Sequence, residues 1–558
     1  MTDSILIADL AVVPVFVNTG AALLPALIAG LTGFVTILFK PKQLVRVCRE
    51  KPLRPLGVIV GVLAIWLAMV WMPTGQTEAV APLRSAAPAT GAMMTPSDWV
   101  QLASDLDSAK RTARLQAAAT PTTNAAATQP VVVKTPAASD KALYFRGGPG
   151  RSGYLGGPSP EKLTKLWDHS PEYAMFWSSP LVRGDRVYAA MCTLDPPESY
   201  GSIICLNAAS GKVVWEAEMK DADREFGGFF SSPALTADGK YLVIGQGLHP
   251  DYDSELVCID TATGTVKWLI ACPLHIESSP AIVGDIVVVG AGAVEDPKTH
   301  KPKPHKDPAK DRNAGYVFAA RISTGEIIWK HAVSDPESSP AIADGVAYIG
   351  SGFNGNAVTA LRLSETDEQL KADGKTREIW KTSTPFPATG AITLAGDLVL
   401  VGCGNGDYVF QAPKPAGAVM ALDKKTGKVR WTQTMSDGVL GSIAVLDTTA
   451  IVPVRSGQVV AMDLDAKDEA SRIIWKTAAR KGSRVLAGPA FTGPRVYLVT
   501  HDGYLVVLDA KTGKPVESVY VNGEPGEMGM SISSPLVDRG RVYVGSETGG
   551  LRCYINGK

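Results

Sequence analysis

No Cys-x-x-Cys, Cys-x-x-Cys-His or adjacent cysteine pair occurs in the 558-residue sequence. Zinc ribbons, thioredoxin-type redox motifs and c-type haem attachment are therefore excluded. Seven cysteines in this length are also too few for a disulfide-built scaffold. Neither sign of charge is in excess, since Lys+Arg and Asp+Glu each number 55. A nucleic-acid binder carries a clear basic surplus, so none is expected as a partner. Charged residues make up only 20% and the mean hydropathy is slightly positive. Together these rule out a mostly disordered chain and point to membrane segments. Glycine (55) and proline (39) are plentiful but follow no Gly-X-Y period. Collagen is excluded, and a turn-rich β protein is favoured.

Residues 1–72 read as a membrane anchor. Between positions 5 and 39 the only charge is Asp9. The run 20–39 is 20 residues, long enough to span a bilayer, and the run 56–72 is 17, at the lower limit. Trp66 and Trp71 sit toward the far end of the second run, where interfacial aromatics belong. The loop between the runs holds Lys40, Lys42, Arg46, Arg49, Lys51 and Arg54 against Glu50 alone. The positive-inside bias places that loop in the cytoplasm, with the N-terminus and everything after residue 72 on the outer face. The first basic residue is Lys40, so the pattern is not that of a cleaved signal peptide. Cys48 lies in a basic loop, which is not a lipoprotein context. The expected location is the cytoplasmic (inner) membrane, with the rest of the chain periplasmic.

Residues 73–142 are dominated by Ala, Thr, Pro and Ser and read as a flexible linker. One island, 97–118, has Trp99, Leu102, Leu106, Ala109 and Ala113 at helical spacing behind Ser97 as N-cap.

From residue 143 to 558 the chain repeats. Each unit opens on Ser-Ser-Pro or a relative, with prolines at 180, 233, 280, 340 and 535. Degenerate versions stand at Gly390-Ala391, Gly441-Ser442 and Gly488-Pro489. A Gly/Asp turn and a Val/Tyr-rich strand follow, as in GDRVYAAM and GDLVLVGC. The unit ends on a strand, a turn such as DKKTG, and a strand with tryptophan four residues past that glycine. These tryptophans are Trp167, Trp215, Trp268, Trp329, Trp380, Trp431 and Trp475, and Glu517 stands where an eighth belongs. Each is expected to be a packing element between neighbouring units. The units read as four short strands, A to D, which is one propeller blade. Trp167 precedes the first Ser-Ser-Pro, and the last unit stops after its third strand. The leading strand therefore completes the last blade. The fold class is all-β: an eight-bladed β-propeller of four-stranded antiparallel blades, preceded by two transmembrane helices and a flexible linker.

This pattern resembles the pyrroloquinoline-quinone (PQQ) repeat family of eight-bladed propellers, over residues 143–558. TATGTVKW and KKTGKVRW are similar to the family's tryptophan-docking strand. YFRGGPGRSGYLG, at 144–156, is similar to the segment that precedes its first blade. The resemblance implies the fold. It leaves function open, because the family includes quinoprotein dehydrogenases and non-catalytic scaffolds of the BamB kind. It also implies PQQ with calcium as a possible cofactor, but no motif places a calcium site or a catalytic Asp. The vicinal disulfide expected of such a dehydrogenase is absent. A non-catalytic scaffold in envelope assembly, binding protein partners, is therefore favoured over a quinoprotein dehydrogenase, with a sensor of an extracytoplasmic ligand as a third reading.

The working face is expected where the long loops gather. The B–C loops are long in blades 1 (193–201), 2 (246–254), 3 (291–315) and 5 (404–417), and they share a face with the D–A connections. The C–D segment of blade 4 (365–376) is a charged insertion on the other face. The residue before each Ser-Ser opens the innermost strand on the working face. These are Trp177, Phe230, Glu277, Glu337, Ala388, Leu440, Leu486 and Ile532. Most are apolar, which suits a closed channel mouth. Glu277 and Glu337 either pair for a cation or for acid/base work, or they simply repeat a Glu-Ser-Ser-Pro consensus. His300 and His305, with six basic and four acidic neighbours in the blade-3 loop, either bind a metal or belong to a solvated loop. No metal ligand and no catalytic residue is assigned.

The topology has a direct consequence. A membrane-impermeant thiol reagent is expected to leave Cys48 unmodified in intact cells and to modify it once the membrane is opened. Labelling of Cys48 in intact cells would invert the assignment.

Overall fold

In the computed structural model the described residues are 143–557, apart from 196–197, 218–225, 249–253, 293–314, 353–354, 409–410 and 524–528. The two expected spans and the linker helix lie outside them. Among the described residues no helix is long and apolar enough to cross a membrane.

The B and C strands of each unit are near-continuous apolar runs, such as Tyr241–Gly245 and Ser254–Asp260, buried on both sides. The D strands are covered on one side only, as in Ile327–Ala332, where Trp329 is buried between half-buried Ile328 and exposed Lys330. A sheet covered on both faces by its neighbours, with only its last strand at the rim, demands this distribution. Eight four-stranded antiparallel sheets result. Seven are built from consecutive strands. In the eighth, Leu536–Asp538, Arg541–Gly545 and Leu551–Asn556 take the leading strand Leu163–His169 as their fourth, with Trp167 opposite Cys553.

The Ser-Ser-Pro signal has a hydrogen-bond explanation. The first serine donates its hydroxyl to the next blade's carbonyl: Ser231 to Ser278 (3.0 Å), Ser278 to Ser338 (2.9 Å), Ser338 to Gly390 (2.8 Å) and Ser533 to Ser178 (3.1 Å). The second serine accepts from the preceding blade's amide: Ser179 N–H to Ser232 Oγ, Ser232 to Ser279, Ser279 to Ser339 and Ser534 to Ser179, all 2.8–3.0 Å. A belt of hydroxyls thus stitches blade to blade around the axis. Each bond contributes on the order of 1 kcal/mol, and in blade 1 the belt runs through the Ser178 carbonyl while the Ser178 hydroxyl has no partner among the described residues. The belt also corrects one position. Gly390 stands where Ser338 stands, so the residue that opens blade 5 at the mouth is Thr389, not Ala388.

The tryptophans sit where one blade meets the next. The indole N–H of Trp167 donates to the carbonyl of Ala208 (3.0 Å), Trp215 to Thr261 (2.8 Å), Trp268 to Ile322 (2.7 Å), Trp329 to Leu363 (2.8 Å), Trp380 to Lys424 (3.2 Å) and Trp475 to Ala510 (2.9 Å). In five cases the ring lies on the turn glycine of the following blade. A Cβ on Gly211 would meet the Trp167 ring at 2.7 Å, and the same holds for Gly264, Gly325, Gly427 and Gly513. That glycine also has positive φ, so the Thr-Gly of the motif serves both the turn and the docking of the indole. Blades 4 and 6 lack the turn. Short helices, Asp367–Ala372 and Glu469–Arg472, replace it, and an arginine stacks on the tryptophan instead: Arg377 over Trp329 at 4.6 Å and Arg472 over Trp431 at 4.2 Å. The charged insertion at 365–376 is therefore a capped helix, with Thr366 and Gln369 forming a capping box.

Residues 143–155 cross beneath the axis. Their carbonyls accept from innermost strands in turn: Leu143 from Leu235, Pro149 from Ile342, Gly150 from Leu394, Ser152 from Val445 and Gly153 from Phe491. Arg151 is wholly buried and donates to the carbonyls of Pro340 (2.6 Å), Ser279 (2.7 Å), Pro280 (3.0 Å) and Phe145 (2.9 Å). Burial lowers its pKa to about 9, which still leaves it charged at neutral pH.

The six described cysteines are buried, and none of them is in a disulfide. Cys205, Cys258 and Cys553 face Trp215, Trp268 and Trp167 across the C–D pairs, where Ala421 faces Trp431 and Ala461 faces Trp475. They act as small core residues, and burial pushes each of the three thiols up to about 12.

Two outcomes follow. A chain starting at Ser178 loses Leu163–His169 and exposes the edge of Leu551–Asn556, so it should be less soluble and unfold earlier than one starting at Asp140. Equal melting temperatures would refute the closure. Arg151→Ala strands several buried carbonyls and should cost about 3–5 kcal/mol in denaturant titration, with the blade fold retained by circular dichroism.

Candidate functional site

The D–A connections bring one residue per blade to the mouth of the axis: Trp177, Phe230, Glu277, Glu337, Thr389, Leu440, Leu486 and Ile532 line one cavity. Phe145 of the crossing segment also lines it, and the belt serines form its wall. The apolar members pack on one another. Leu440, Leu486 and Ile532 form a cluster with Trp177, Phe230 and Met530, and the Trp177 and Phe230 rings meet edge-on at 6.4 Å.

Tyr408 completes this plug. It comes from the long B–C loop of blade 5 and reaches across to Phe230 at 5.7 Å. The loop is pinned at its base, where the Asn405 side chain accepts from Ala416 N–H (2.9 Å) and donates to the Lys414 carbonyl (2.8 Å). Buried Arg455 donates to the Asp407 carbonyl at 2.8 Å and so holds the residue beside Tyr408. Burial first, then the charges of Glu277, Glu337 and Asp407, pushes the Tyr408 phenol up, so it stays protonated as a donor. The cavity that remains is about 70 Å³, room for a few waters or one ion.

The polar sector lies on blades 3 and 4. Glu277 and Glu337 are brought together there, as the carboxylate-pair reading requires. A residue that the sequence reading passed over joins them: buried His275, whose Nε2 is 3.4 Å from Glu337 Oε1. One ligand atom each of His275, Glu277 and Glu337 lies within 4.8 Å of the others. The signal was present in HIESSP. In an extended segment side chains two apart share a side, so a residue two before a mouth residue points the same way. Asp335 holds the equivalent place before Glu337. On blade 7 that place is taken by Arg484, which stands 3.2 Å from His501. Burial and Arg484 push the His501 imidazole down, so it is neutral at neutral pH.

The expected working-face loops divide. In blade 1 the described residues of 193–201 are strand and not loop. Strands Arg186–Asp195 and Glu198–Asn207 continue the ladder to Asp195 opposite Glu198. The extension is supported from the side, because Met175 exchanges hydrogen bonds with Cys192 and Gly201 N–H donates to Phe226. Most of the blade-3 loop, with His300 and His305, lies outside the described residues, as do 249–253 of blade 2.

Comparison with known proteins agrees with this architecture. A curated relative, the outer membrane protein assembly factor BamB of Shewanella oneidensis, is 23% identical over 402 residues, covering 67% of this chain and 87% of the relative. The dehydrogenase subunit of a quinone alcohol dehydrogenase from Gluconobacter oxydans is 23% identical over 379 residues, covering 62% of this chain and 39% of the relative. A polyvinylalcohol dehydrogenase from a Pseudomonas species is 24% identical, covering 60% of this chain and 50% of the relative. Among solved structures, the quinohemoprotein alcohol dehydrogenase of Comamonas testosteroni is 14% identical, with a TM-score of 0.51 over 75% of this chain and 81% of that one, and shows the shared fold. The family model described as outer membrane protein assembly factor BamB matches residues 199–364 and 367–556, most of the propeller, and the chain belongs to that family of PQQ-repeat propellers.

Proposed function

We propose that this chain is a membrane-anchored, extracytoplasmic propeller scaffold that binds protein partners through its B–C and D–A loop face and acts in envelope assembly. The observation that carries this reading is the plugged mouth. A tricyclic quinone with three carboxylates needs a wide slot and cationic partners. The cavity here is about 70 Å³, and the described residues lining it include two glutamates and no lysine or arginine. Those residues do not fit PQQ, since its carboxylates would face Glu277 and Glu337 at close range. The coverage of the relatives supports the same choice. This chain spans 87% of the BamB relative but only 39% and 50% of the two dehydrogenases. The anchor rests on the sequence alone: two apolar runs flanking a basic loop.

A scaffold works by surface shape, so no single mouth group should be indispensable. Affinity pull-down of the full chain from detergent-solubilised membranes should recover a defined partner. Deleting 293–313, the longest insertion of that face, should lower recovery about tenfold, while Glu277→Gln with Glu337→Gln should change it about twofold or less. The reverse ranking, or dye-linked alcohol oxidation after addition of PQQ and calcium, would overturn the reading.

A further inference from the structure

We propose that His275, Glu277 and Glu337 form a site for one divalent first-row transition cation, with Zn²⁺ as the probe, in the polar sector of the channel mouth. Three observations carry it. The first is spacing. A tetrahedral ion with bonds near ~2.1 Å holds its ligand atoms ~3.4 Å apart. His275 Nε2 and Glu337 Oε1 already stand at 3.4 Å, and the three ligand atoms fall within 4.8 Å of one another.

The second is the donor set. One imidazole with two carboxylates suits Zn²⁺ and its neighbours in the first row, whereas Mg²⁺ and Ca²⁺ prefer all-oxygen shells and Cu(I) prefers thiolate or thioether.

The third is the room left beside the histidine. A Cβ on Gly292 would lie 2.5 Å from His275 Nε2 and 3.2 Å from Asp335 Oδ1. Glycine there keeps open the space that both groups face, beside the ring nitrogen that would ligate the ion.

The site ties two connections together. His275 and Glu277 precede strand Ala281–Val283 of blade 3, and Glu337 precedes strand Ala341–Ala343 of blade 4. Three protein ligands leave one coordination position. Because Glu277 and Glu337 line the cavity, that position faces the mouth, where a carboxylate or carbonyl of an incoming molecule can reach it.

The test is Zn²⁺ titration of the chelator-stripped full chain by calorimetry, with metal analysis for stoichiometry. One Zn²⁺ per chain is expected. Glu277→Gln with Glu337→Gln should weaken binding at least about a hundredfold. His300→Ala with His305→Ala should leave it unchanged. Unchanged affinity in the glutamine variant, or loss of binding in the His300/His305 variant, overturns the site. Should the glutamine variant fold poorly, Co²⁺ bound to the wild-type chain decides. Visible ligand-field bands without a thiolate charge-transfer band are expected, and their absence overturns the proposal.

Discussion

The structure depends on closing a ring of eight wedges. A propeller with one blade short of a strand leaves a row of unpaired amides and carbonyls at its last interface. Here the missing strand comes from the other end of the propeller sequence. Leu163–His169 lies on Leu551–Asn556, and its Trp167 then docks on Gly211 of blade 1 exactly one blade further round, as the other tryptophans do on theirs. The same junction carries the hydroxyl belt, through Ser533 to Ser178 and Ser534 to Ser179. One seven-residue strand therefore joins the sheet, the tryptophan interface and the belt at the seam. The crossing segment adds a second closure, along the axis. It gives the open edges of the inner strands partners and seats Arg151 among carbonyls of blades 3 and 4, which lie 128 to 189 residues along the chain.

Seven of the eight interfaces carry an indole and solve the same packing problem, Glu517 standing in its place at the eighth, and the two that do without the glycine show what the problem is. An indole needs a flat, close neighbour on the next blade. Where the next blade has an Asp-x-x-Thr-Gly hairpin, the glycine supplies a surface with no Cβ. Blades 4 and 6 have longer C–D connections and no such glycine. There a planar guanidinium, Arg377 or Arg472, is laid over the ring by a one- or two-turn helix. Arg377 is also held by Asp367 at 2.7 Å, and so the acidic first turn of that helix fixes the stacking arginine. The insertion in blade 4 is mostly solvated, as its charge implies, but its first helical turn also serves the interface by holding Arg377.

The repeat, the blade count, the closing strand and the tryptophan register were legible because each recurs at a fixed place in the unit. What was not legible depends on contacts between units. The role of Ser-Ser-Pro was hidden, since its partners lie one blade away, about 50 residues along the chain. Thr389 was misregistered as Ala388 because blade 5 has no serine pair to count from. Segment 193–201 looked like a loop on its turn residues, and only the flanking pairs at Met175 and Phe226 make it a ladder. Glu277 and Glu337 were visible as repeat residues, but His275 was not, because it carries no repeat signal. Tyr408 was equally hidden, since a loop sequence does not say which way its aromatic falls.

The mouth is therefore asymmetric for a physical reason. Five of its eight positions are apolar and collapse on one another, and Tyr408 extends that plug from blade 5 to Phe230 of blade 2. An apolar arc of this kind buries its own surface and needs no ligand. The remaining arc cannot do the same, because Glu277 and Glu337 bring charge into a space of about 70 Å³. The plug leaves about 70 Å³ at the axis, too little for a large molecule, and the polar arc puts two carboxylates into that space. On the proposed reading the two parts of the mouth would divide the work: a partner protein would meet the face, and an ion would fit the gap beneath it.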